Sequence, residues 1–342
     1  MRAAVYRRFG PPEVLALEQV PDPVAGPKDV LVAVRATTVT SAEAAMRRGE
    51  PIWGRVILGF VRPRQRMRTL GIEFAGVVTH VGEAVREFAV GDEVFGFTGF
   101  AIGANAEILR MPAQGSIARK PVSVSFAEAA AVVDGASTAL YFLRDKARLH
   151  AGQKVLVIGA SGSIGTYAIQ LARHFGAEVT GVCSTSNVEL VTSLGAHHVV
   201  DYTRADFAAQ GVRYDVIFDT VGRSHFRHGR AALTEHGCYM ATTGLANYLW
   251  VAWTRLRGGP RVLAGMSVDK RAALPCIARL VENGELRIVI DRVYPLEEIV
   301  EAHRYVDSGR KRGNVVITLA PEPDLGERVD APTGGASSPP PT

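Results

Sequence analysis

Short apolar runs alternate with helix-forming segments between residues 154 and 264. Each run is bounded by turn residues, as is typical of strands that are buried on both faces of a sheet. The runs occupy residues 155–158, 179–183, 198–201, 216–219, 238–241 and 261–263. The alternation of strands and helices predicts a doubly wound α/β domain with a parallel sheet.

The chain before this region follows a different pattern. Residues 1 to about 118 are rich in strand and turn signals, and residues 30–35 alternate like a half-buried strand. Residues 71–82 and 90–96 have the composition of further strands, punctuated by glycine. This part therefore predicts a compact β-rich domain.

The remaining segments complete the secondary-structure prediction. Residues 126–147 have a helical composition, with an interruption around residues 134–137. After residue 265 we expect helix, strand, helix and strand in turn, at residues 273–282, 287–293, 296–308 and 314–319. Six of the 22 residues from Pro321 onwards are proline, which predicts a disordered tail over residues 321–342.

The turn after the first apolar run of the α/β region carries the clearest functional signal. Its glycines Gly159, Gly162 and Gly165 are spaced GxxGxxG between a strand and a helix, and Ala160 stands where the dinucleotide fingerprint has its first glycine. A helix N-terminus of this kind binds pyrophosphate through free N–H groups. The turn predicts a bound dinucleotide and, with a nicotinamide, hydride transfer; the alternative is an ordinary turn in a non-binding domain. The candidate contacts are Ala160, Ser161, Gly162, Ser163, Ile164 and Gly165.

The end of the second strand bears on the choice between NAD and NADP. An NAD enzyme has Asp or Glu there, about 20 residues after the glycines, but this chain has Ser184, followed by Thr185 and Ser186. Three hydroxyls without a carboxylate favour a 2′-phosphate, so we expect NADPH. Arg204 or Arg173 would have to supply the compensating charge. The alternative is a plain helix cap, which is compatible with binding.

Composition restricts the remaining function classes. The 342 residues carry 39 basic and 34 acidic side chains, a net charge of +5 without any lysine-rich block, so nucleic-acid binding is not indicated. The first residues lack a signal-peptide apolar region, and no apolar run approaches 18 residues. We therefore expect a cytoplasmic protein without a membrane span.

One segment departs from the ordinary pattern. The arginine-rich segment, residues 47–68, contains seven arginines around the apolar run VILGFV. One interpretation is a lip that contacts an anionic or membrane surface. The other is a solvated, partly mobile loop over the substrate cleft. The absence of a sustained amphipathic period favours this second interpretation.

Five ordered motifs identify a family resemblance: GIEFAGVVTHVG, VGDEVFG, DGASTAL, VLVIGASGSIG and KRGNVVIT. In order and spacing they resemble the medium-chain dehydrogenase/reductase superfamily, most closely its zinc-free quinone oxidoreductase (zeta-crystallin-like) branch. The resemblance implies a GroES-like catalytic domain from residues 1–120 and 265–320. It implies a Rossmann domain at residues 121–264, with the active site between the two. Family members often form homodimers through the edge of the Rossmann sheet.

The resemblance also allows a test for zinc. Matching the motifs places Thr40, Ile72 and Asp134 at the three positions that hold the catalytic zinc in metal-dependent members. Isoleucine cannot ligate a metal and threonine is a poor zinc ligand. We therefore predict no metal site.

The same matching suggests the site residues. Thr40 and Thr138 would shape the nicotinamide end, and Asp134 is a candidate proton donor or, alternatively, a helix cap. Glu43 is either a further polar candidate or a surface residue. The other implied cofactor contacts are Tyr202, Val221, Gly222, Thr243, Gly244, Leu245 and Asn314.

These expectations converge on a zinc-independent, NADPH-dependent reductase of quinones or α,β-unsaturated carbonyl compounds, which are small-molecule substrates. Two alternatives stay open: a non-catalytic NADPH-binding protein with a structural or sensor role, and a zinc-type alcohol dehydrogenase.

Overall fold

The computed structural model describes residues 1–242 and 246–319, which form fifteen strands and ten α-helices. The strands are β1 (Arg2–Tyr6), β2 (Leu15–Gln19), β3 (Asp29–Thr38), β4 (Glu73–Val81), β5 (Glu93–Phe97), β6 (Ile108–Pro112), β7 (Ser116–Arg119), β8 (Lys154–Ile158), β9 (Glu178–Cys183), β10 (His198–Asp201), β11 (Tyr214–Asp219), β12 (Leu233–Ala241), β13 (Arg261–Leu263), β14 (Ile290–Pro295) and β15 (Asn314–Thr318). The helices are α1 (Ser41–Arg48), α2 (Arg55–Leu58), α3 (Phe126–Ala131), α4 (Val133–Leu140), α5 (Ser163–His174), α6 (Val188–Ser193), α7 (Phe226–Gly229), α8 (Ala246–Arg257), α9 (Ala273–Glu282) and α10 (Ile299–Asp307).

Strands β8 to β13 form a six-stranded parallel sheet in the order β10-β9-β8-β11-β12-β13. This is the Rossmann order, and it places the topological switch point between β8 and β11. The continuous apolar sequence of β8 is explained by its position, because four of its five residues are buried among neighbouring strands and helices. The predicted α/β fold class is confirmed.

The second large sheet joins the two ends of the chain. It has the order β14-β15-β3-β4-β5-β7, and β6 also pairs with β3. Strand β3 alternates between buried and partly exposed residues over most of its length, as an antiparallel strand with one solvated face should. Because β14 and β15 pair within this sheet, the C-terminal strands lie beside the N-terminal ones and next to the Rossmann domain.

The predicted interruption of the 126–147 helix is displaced. The break falls at Val132, between α3 and α4, and α4 runs without interruption through residues 134–137 into a π-helical turn at Tyr141–Lys146. Gly135 is required there by packing, since a Cβ atom at this position would lie 2.6 Å from the Oγ of Ser163. The helical run Phe126–Lys146 is long and apolar enough to cross a membrane, but most of it is buried inside the protein.

Candidate active site

The glycine turn connects β8 to α5 at the switch point of the Rossmann sheet. Its left-handed residue is Gly159 (φ 79°), while Ala160 keeps a negative φ and is fully buried. A Cβ atom on Gly165 would lie 2.1 Å from the carbonyl oxygen of Gly159, so only glycine permits this contact between turn and helix. Within the described residues no side chain caps α5 at Gly162, and Ser163 and Ile164 form its first turn. The turn thus presents an uncapped helix N-terminus.

The three hydroxyl residues after β9 do not form a single cluster. The Oγ atoms of Ser184 and Ser186 lie 3.3 Å apart, whereas the hydroxyl of Thr185 donates to Asp201, at the end of β10. The amide of Asn187 donates to Ser184 and, over 3.0 Å, to Ser161 of the glycine turn. Asn187 therefore ties the end of β9 to the turn.

The two arginines expected to compensate a 2′-phosphate have different surroundings. Arg204 is largely exposed and lies 3.5 Å from the carboxylate of Asp201, where it is within reach of the hydroxyl residues. Hydrogen bonds from Thr185 and Thr203, rather than this arginine, are the main reason that the pKa of Asp201 is lowered. Arg173 lies in the last turn of α5, roughly 15 Å along the helix from the glycine turn. Its side chain packs against Gly195, in the loop that precedes β10, so Arg204 is the better placed of the two arginines.

Two further expected contacts lie at the end of β11, and a third lies at the end of β10. Val221 packs against the glycine turn, since a Cβ atom on Gly159 would meet its side chain at 2.6 Å, and Gly222 takes a left-handed conformation (φ 68°). The buried carboxylate of Asp219 accepts hydrogen bonds from the N–H groups of both residues, so it shapes this loop. Tyr202 follows β10 and is 65% exposed, which leaves its ring free to contact a ligand. Thr243, Gly244 and Leu245 lie outside the described residues.

Asn314 joins the two domains beside the glycine turn. Its Oδ1 accepts a 2.6 Å hydrogen bond from Ser163, and its Nδ2 donates to the hydroxyl of Tyr167 and to the carbonyl of Val289. The preceding Gly313 donates its N–H to the carbonyl of Ser161 over 2.8 Å. Asn314 is thus buried in the domain junction, with both ends of its side chain hydrogen-bonded.

Thr40 begins helix α1 as its N-cap. Its hydroxyl accepts from the N–H of Glu43, and the Glu43 carboxylate accepts from the N–H of Thr40, which is a reciprocal capping box. The other oxygen of Glu43 accepts from the N–H of Gly71 and from Asn105. Glu43 is fully buried, so the alternative of a surface residue is wrong, and burial raises its pKa to about 7.

An unusual charge lies near the N-terminal part of α4: Lys270 is a fully buried lysine. Its Nζ lies 2.6 Å from Oδ1 of Asp134 and donates to the hydroxyl of Thr138 over 3.1 Å. The Thr138 hydroxyl can in turn donate to Asp134, at 3.2 Å, and the Phe97 ring lies 4.5 Å from the ammonium. The Asp134 side chain therefore bonds to Lys270 and Thr138, while the N-cap of α4 is Val132.

Glu73 adds a second carboxylate to this cluster. It is buried, accepts a hydrogen bond from the N–H of Asp134 and another from the hydroxyl of Thr38, and its pKa is raised by burial and then by the Asp134 charge. The cluster is adjacent to the glycine turn, because Gly135 packs against Ser163. Two carboxylates and one ammonium thus lie together beside the proposed cofactor site.

Sequence reasoning named Asp134 and Thr138 but missed Lys270 and Glu73. Glu73 lies in the GIEFAG motif, where its type alone does not distinguish it from a surface strand residue. Lys270 follows an irregular stretch that carries no motif. Among residues 1–242 and 246–319, no group of three or more His, Cys, Asp or Glu side chains could hold a metal ion.

Comparisons with known proteins agree with this architecture. Residues 26–122 match the alcohol dehydrogenase GroES-like domain, and residues 194–317 match the zinc-binding dehydrogenase family. A 2-methylene-furan-3-one reductase from Solanum lycopersicum is 31% identical over 339 residues, 94% of this chain and 80% of that protein. The trans-enoyl reductase pgmF from Aspergillus terreus is 30% identical, over 86% of this chain and 87% of that protein. The solved quinone oxidoreductase from Coxiella burnetii has a TM-score of 0.86 at 28% identity, over 94% and 99% of the two chains.

A GroES-like domain beside a Rossmann domain, together with relatives that are enone, enoyl and quinone reductases, identifies the chain as a nicotinamide-dependent oxidoreductase. The chain belongs to the medium-chain dehydrogenase/reductase superfamily, in its zinc-free quinone oxidoreductase-like branch. The predicted family is confirmed. The zinc-binding name of one matching family does not transfer a ligand set, because Ile72 occupies one of the expected ligand positions.

Proposed function

We propose that the protein reduces quinones or α,β-unsaturated carbonyl compounds with NADPH and without zinc. The observation that carries this proposal is the buried cluster of Asp134, Thr138 and Lys270 beside the glycine turn. When bound, the reduced nicotinamide supplies the hydride. The protein has to bind the cofactor, orient the acceptor and manage the negative charge and the proton.

The glycine turn provides the binding function. Ala160 to Gly165 present the α5 N-terminus, which would hold the pyrophosphate, and Val221 and Gly222 line the neighbouring strand end. Tyr202 would stack on the adenine. Thr243, Gly244 and Leu245 are proposed contacts from the motif alone. Asn314 would act by holding the two domains together at the turn, since its side chain is already bonded.

Lys270 provides what a metal provides in other members. Hydride addition to a quinone or enone leaves an oxyanion, and a desolvated ammonium with a hydroxyl in front of it stabilises such a charge. Thr138 is 7% exposed while Lys270 is fully enclosed, so of these two groups the hydroxyl is the one that a substrate could reach. Thr138 would give its proton to the substrate oxyanion and recover one from Lys270. Asp134 would hold Lys270 in place, and Thr40 would border the same space.

Steady-state loss of NADPH absorbance with a panel of quinones and enones tests the activity. Lys270→Met should lower kcat by about a hundredfold, the usual contribution of a proton donor, without changing the Kd for NADPH. Lys154→Met, at a half-exposed lysine on β8, is the matched control and should be unaffected. NADPH binding without turnover of any acceptor would instead support the non-catalytic alternative. Activity that depends on one zinc per chain would support the alcohol dehydrogenase alternative.

The preference for NADPH rests on Ser184, Thr185 and Ser186, with Arg204 as the nearby positive charge. Ser184→Asp places a carboxylate where the 2′-phosphate would lie and should shift the NADPH to NADH ratio of kcat/KM by at least about tenfold. Ser193→Asp adds the same charge at an exposed site on α6 and should leave the ratio unchanged. An unchanged ratio in Ser184→Asp would mean that the 2′-phosphate binds elsewhere.

The cytoplasmic location and the homodimer remain predictions. Cell fractionation would test the first, and light scattering of the purified protein would test the second. The tail over residues 321–342 lies outside the described residues.

A further inference from the structure

The arginine-rich segment, residues 47–68, carries a concentrated exposed apolar surface. Six large apolar side chains within ten residues are at least half exposed: Ile52, Trp53, Val56, Ile57, Phe60 and Val61, with exposures from 50% to 87%. Isolated exposed apolar side chains are ordinary, but a contiguous group of this kind marks an interaction surface.

Local geometry explains why these side chains point outward together. Residues 52–58 form one helical stretch, a 3-10 turn followed by α2, in which Ile52 and Val56, and likewise Trp53 and Ile57, are four residues apart on one face. The opposite face is held against the protein. Arg55 stacks on the Phe9 ring at 4.8 Å and donates to the carbonyl of Gly49, and Leu58 is buried. The stretch is therefore amphipathic, with its apolar face turned to solvent.

Positive charge borders this face. Arg62, Arg64 and Arg66 are exposed, while Pro63 and Met67 between and after them are buried. Arg64 donates to the carbonyl of Val56 at the edge of the apolar face. Arg62 and Arg66 form no ion pair within the part of the chain that the structure describes. The sequence contains no acidic residue from position 51 to position 72, so these charges are not neutralised locally.

We propose that this surface docks on an anionic lipid bilayer, with the apolar face inserted among the head groups and the arginines on lipid phosphates. Exposed Trp, Phe and Ile residues beside arginines are the side chains that bind at a membrane interface. A second copy of the same surface fits less well, because a symmetric contact would bring unpaired arginines together. The proposal does not depend on the enzymatic activity.

The arginine-rich segment is connected at both ends to residues near the candidate active site, so docking would bring the membrane close to that site. Helix α1 leads into it from Thr40, and its far end returns at Gly71, whose N–H donates to Glu43. Both ends are thus attached to residues of the candidate active site. A bilayer bound at this surface would lie close to these residues, so that an apolar acceptor could enter the site from the lipid.

Co-sedimentation of the full chain with vesicles tests the proposal. The protein should bind to phosphatidylcholine vesicles that contain about one third phosphatidylglycerol, and should bind much less to vesicles of pure phosphatidylcholine. Binding to the anionic vesicles should weaken as the salt concentration rises. Trp53→Ser with Phe60→Ser should abolish binding. Arg62→Glu with Arg66→Glu should weaken it by at least about tenfold. Circular dichroism would confirm that these surface variants remain folded.

Two matched controls make the result specific. Leu249→Ser with Leu256→Ser changes exposed apolar residues on α8, and Arg213→Glu with Arg261→Glu reverses exposed charges elsewhere; both double variants should bind like the parent. The proposal is overturned if anionic vesicles do not retain the parent, or if the segment variants still bind. It is also overturned if the controls lose binding equally, or if the segment variants instead dissolve a dimer of the protein.

Discussion

The loss of stability should depend strongly on which partner of the Lys270–Asp134 ion pair is removed. Lys270→Met leaves Asp134, whose side chain is 25% exposed and can be hydrated, so we expect a loss of about 2–3 kcal/mol, below the usual cost for a buried pair. Asp134→Asn leaves a fully buried ammonium without its counter-charge, and should cost more. The usual cost of removing one partner of a buried ion pair is about 3–5 kcal/mol, and we expect Asp134→Asn to fall in that range.

Urea unfolding of the parent, the two single variants and the double variant measures these terms. The double variant should be more stable than additivity predicts by about 2 kcal/mol, since it leaves no unpaired charge.

The reasoning would be refuted by additive losses, or by a smaller loss in Asp134→Asn than in Lys270→Met. Either result would mean that the two side chains are not a buried ion pair in solution. The unfolding transitions should be followed by circular dichroism and by tryptophan fluorescence together, because a two-domain chain need not unfold in one step.

Three other perturbations have defined outcomes. Burial raises the pKa of Glu43 to about 7 from an ordinary 4.5, so the free energy of unfolding should fall by about 3 kcal/mol as the pH rises between those values. In urea titrations at several pH values, Glu43→Gln should lack this pH dependence. Burial, and then the charge of Arg47, lower the pKa of His303 to about 3. The free energy of unfolding should therefore fall by about 4–5 kcal/mol as the pH drops from 6.5 to 3, and acid unfolding of His303→Leu should lack this loss. Asn314→Ala removes the bonds to Ser163 and Tyr167, and should weaken NADPH binding in calorimetry while leaving the NADPH to NADH preference intact.

The central strands of the Rossmann sheet could be predicted from the sequence because nearly all of their residues are buried. A strand that is covered on both faces is apolar at most positions, and the apolar runs at residues 155–158, 179–183 and 216–219 lie within β8, β9 and β11. The position of the break between α3 and α4 could not be predicted in the same way. Asp134, Gly135 and Ser137 are weak helix formers, but α4 tolerates them because Gly135 permits its close approach to α5.

The same contrast applies to the candidate site. Ser184, Tyr202 and Val221 could be named because parallel strands end at one edge of the sheet, so topology alone places the residues that follow them near each other. Lys270 contacts Asp134 across 136 positions of sequence, and no periodicity relates the two. A lone lysine is ordinarily solvated, and only the assembled fold shows that this one is enclosed by Phe97, Thr138 and a carboxylate.

The burial of Lys270 and Glu73 beside Asp134 determines how many protons this cluster holds. With Lys270 paired to Asp134, a second full negative charge on Glu73 would be buried beside the Asp134 carboxylate, and the pKa of Glu73 is raised by burial and then by this charge. The cluster therefore favours one proton on Glu73 and an intact ion pair in front of it. A substrate oxyanion arriving at Thr138 would add a negative charge beside the Lys270 ammonium, and this ammonium is the group from which a proton can be given up.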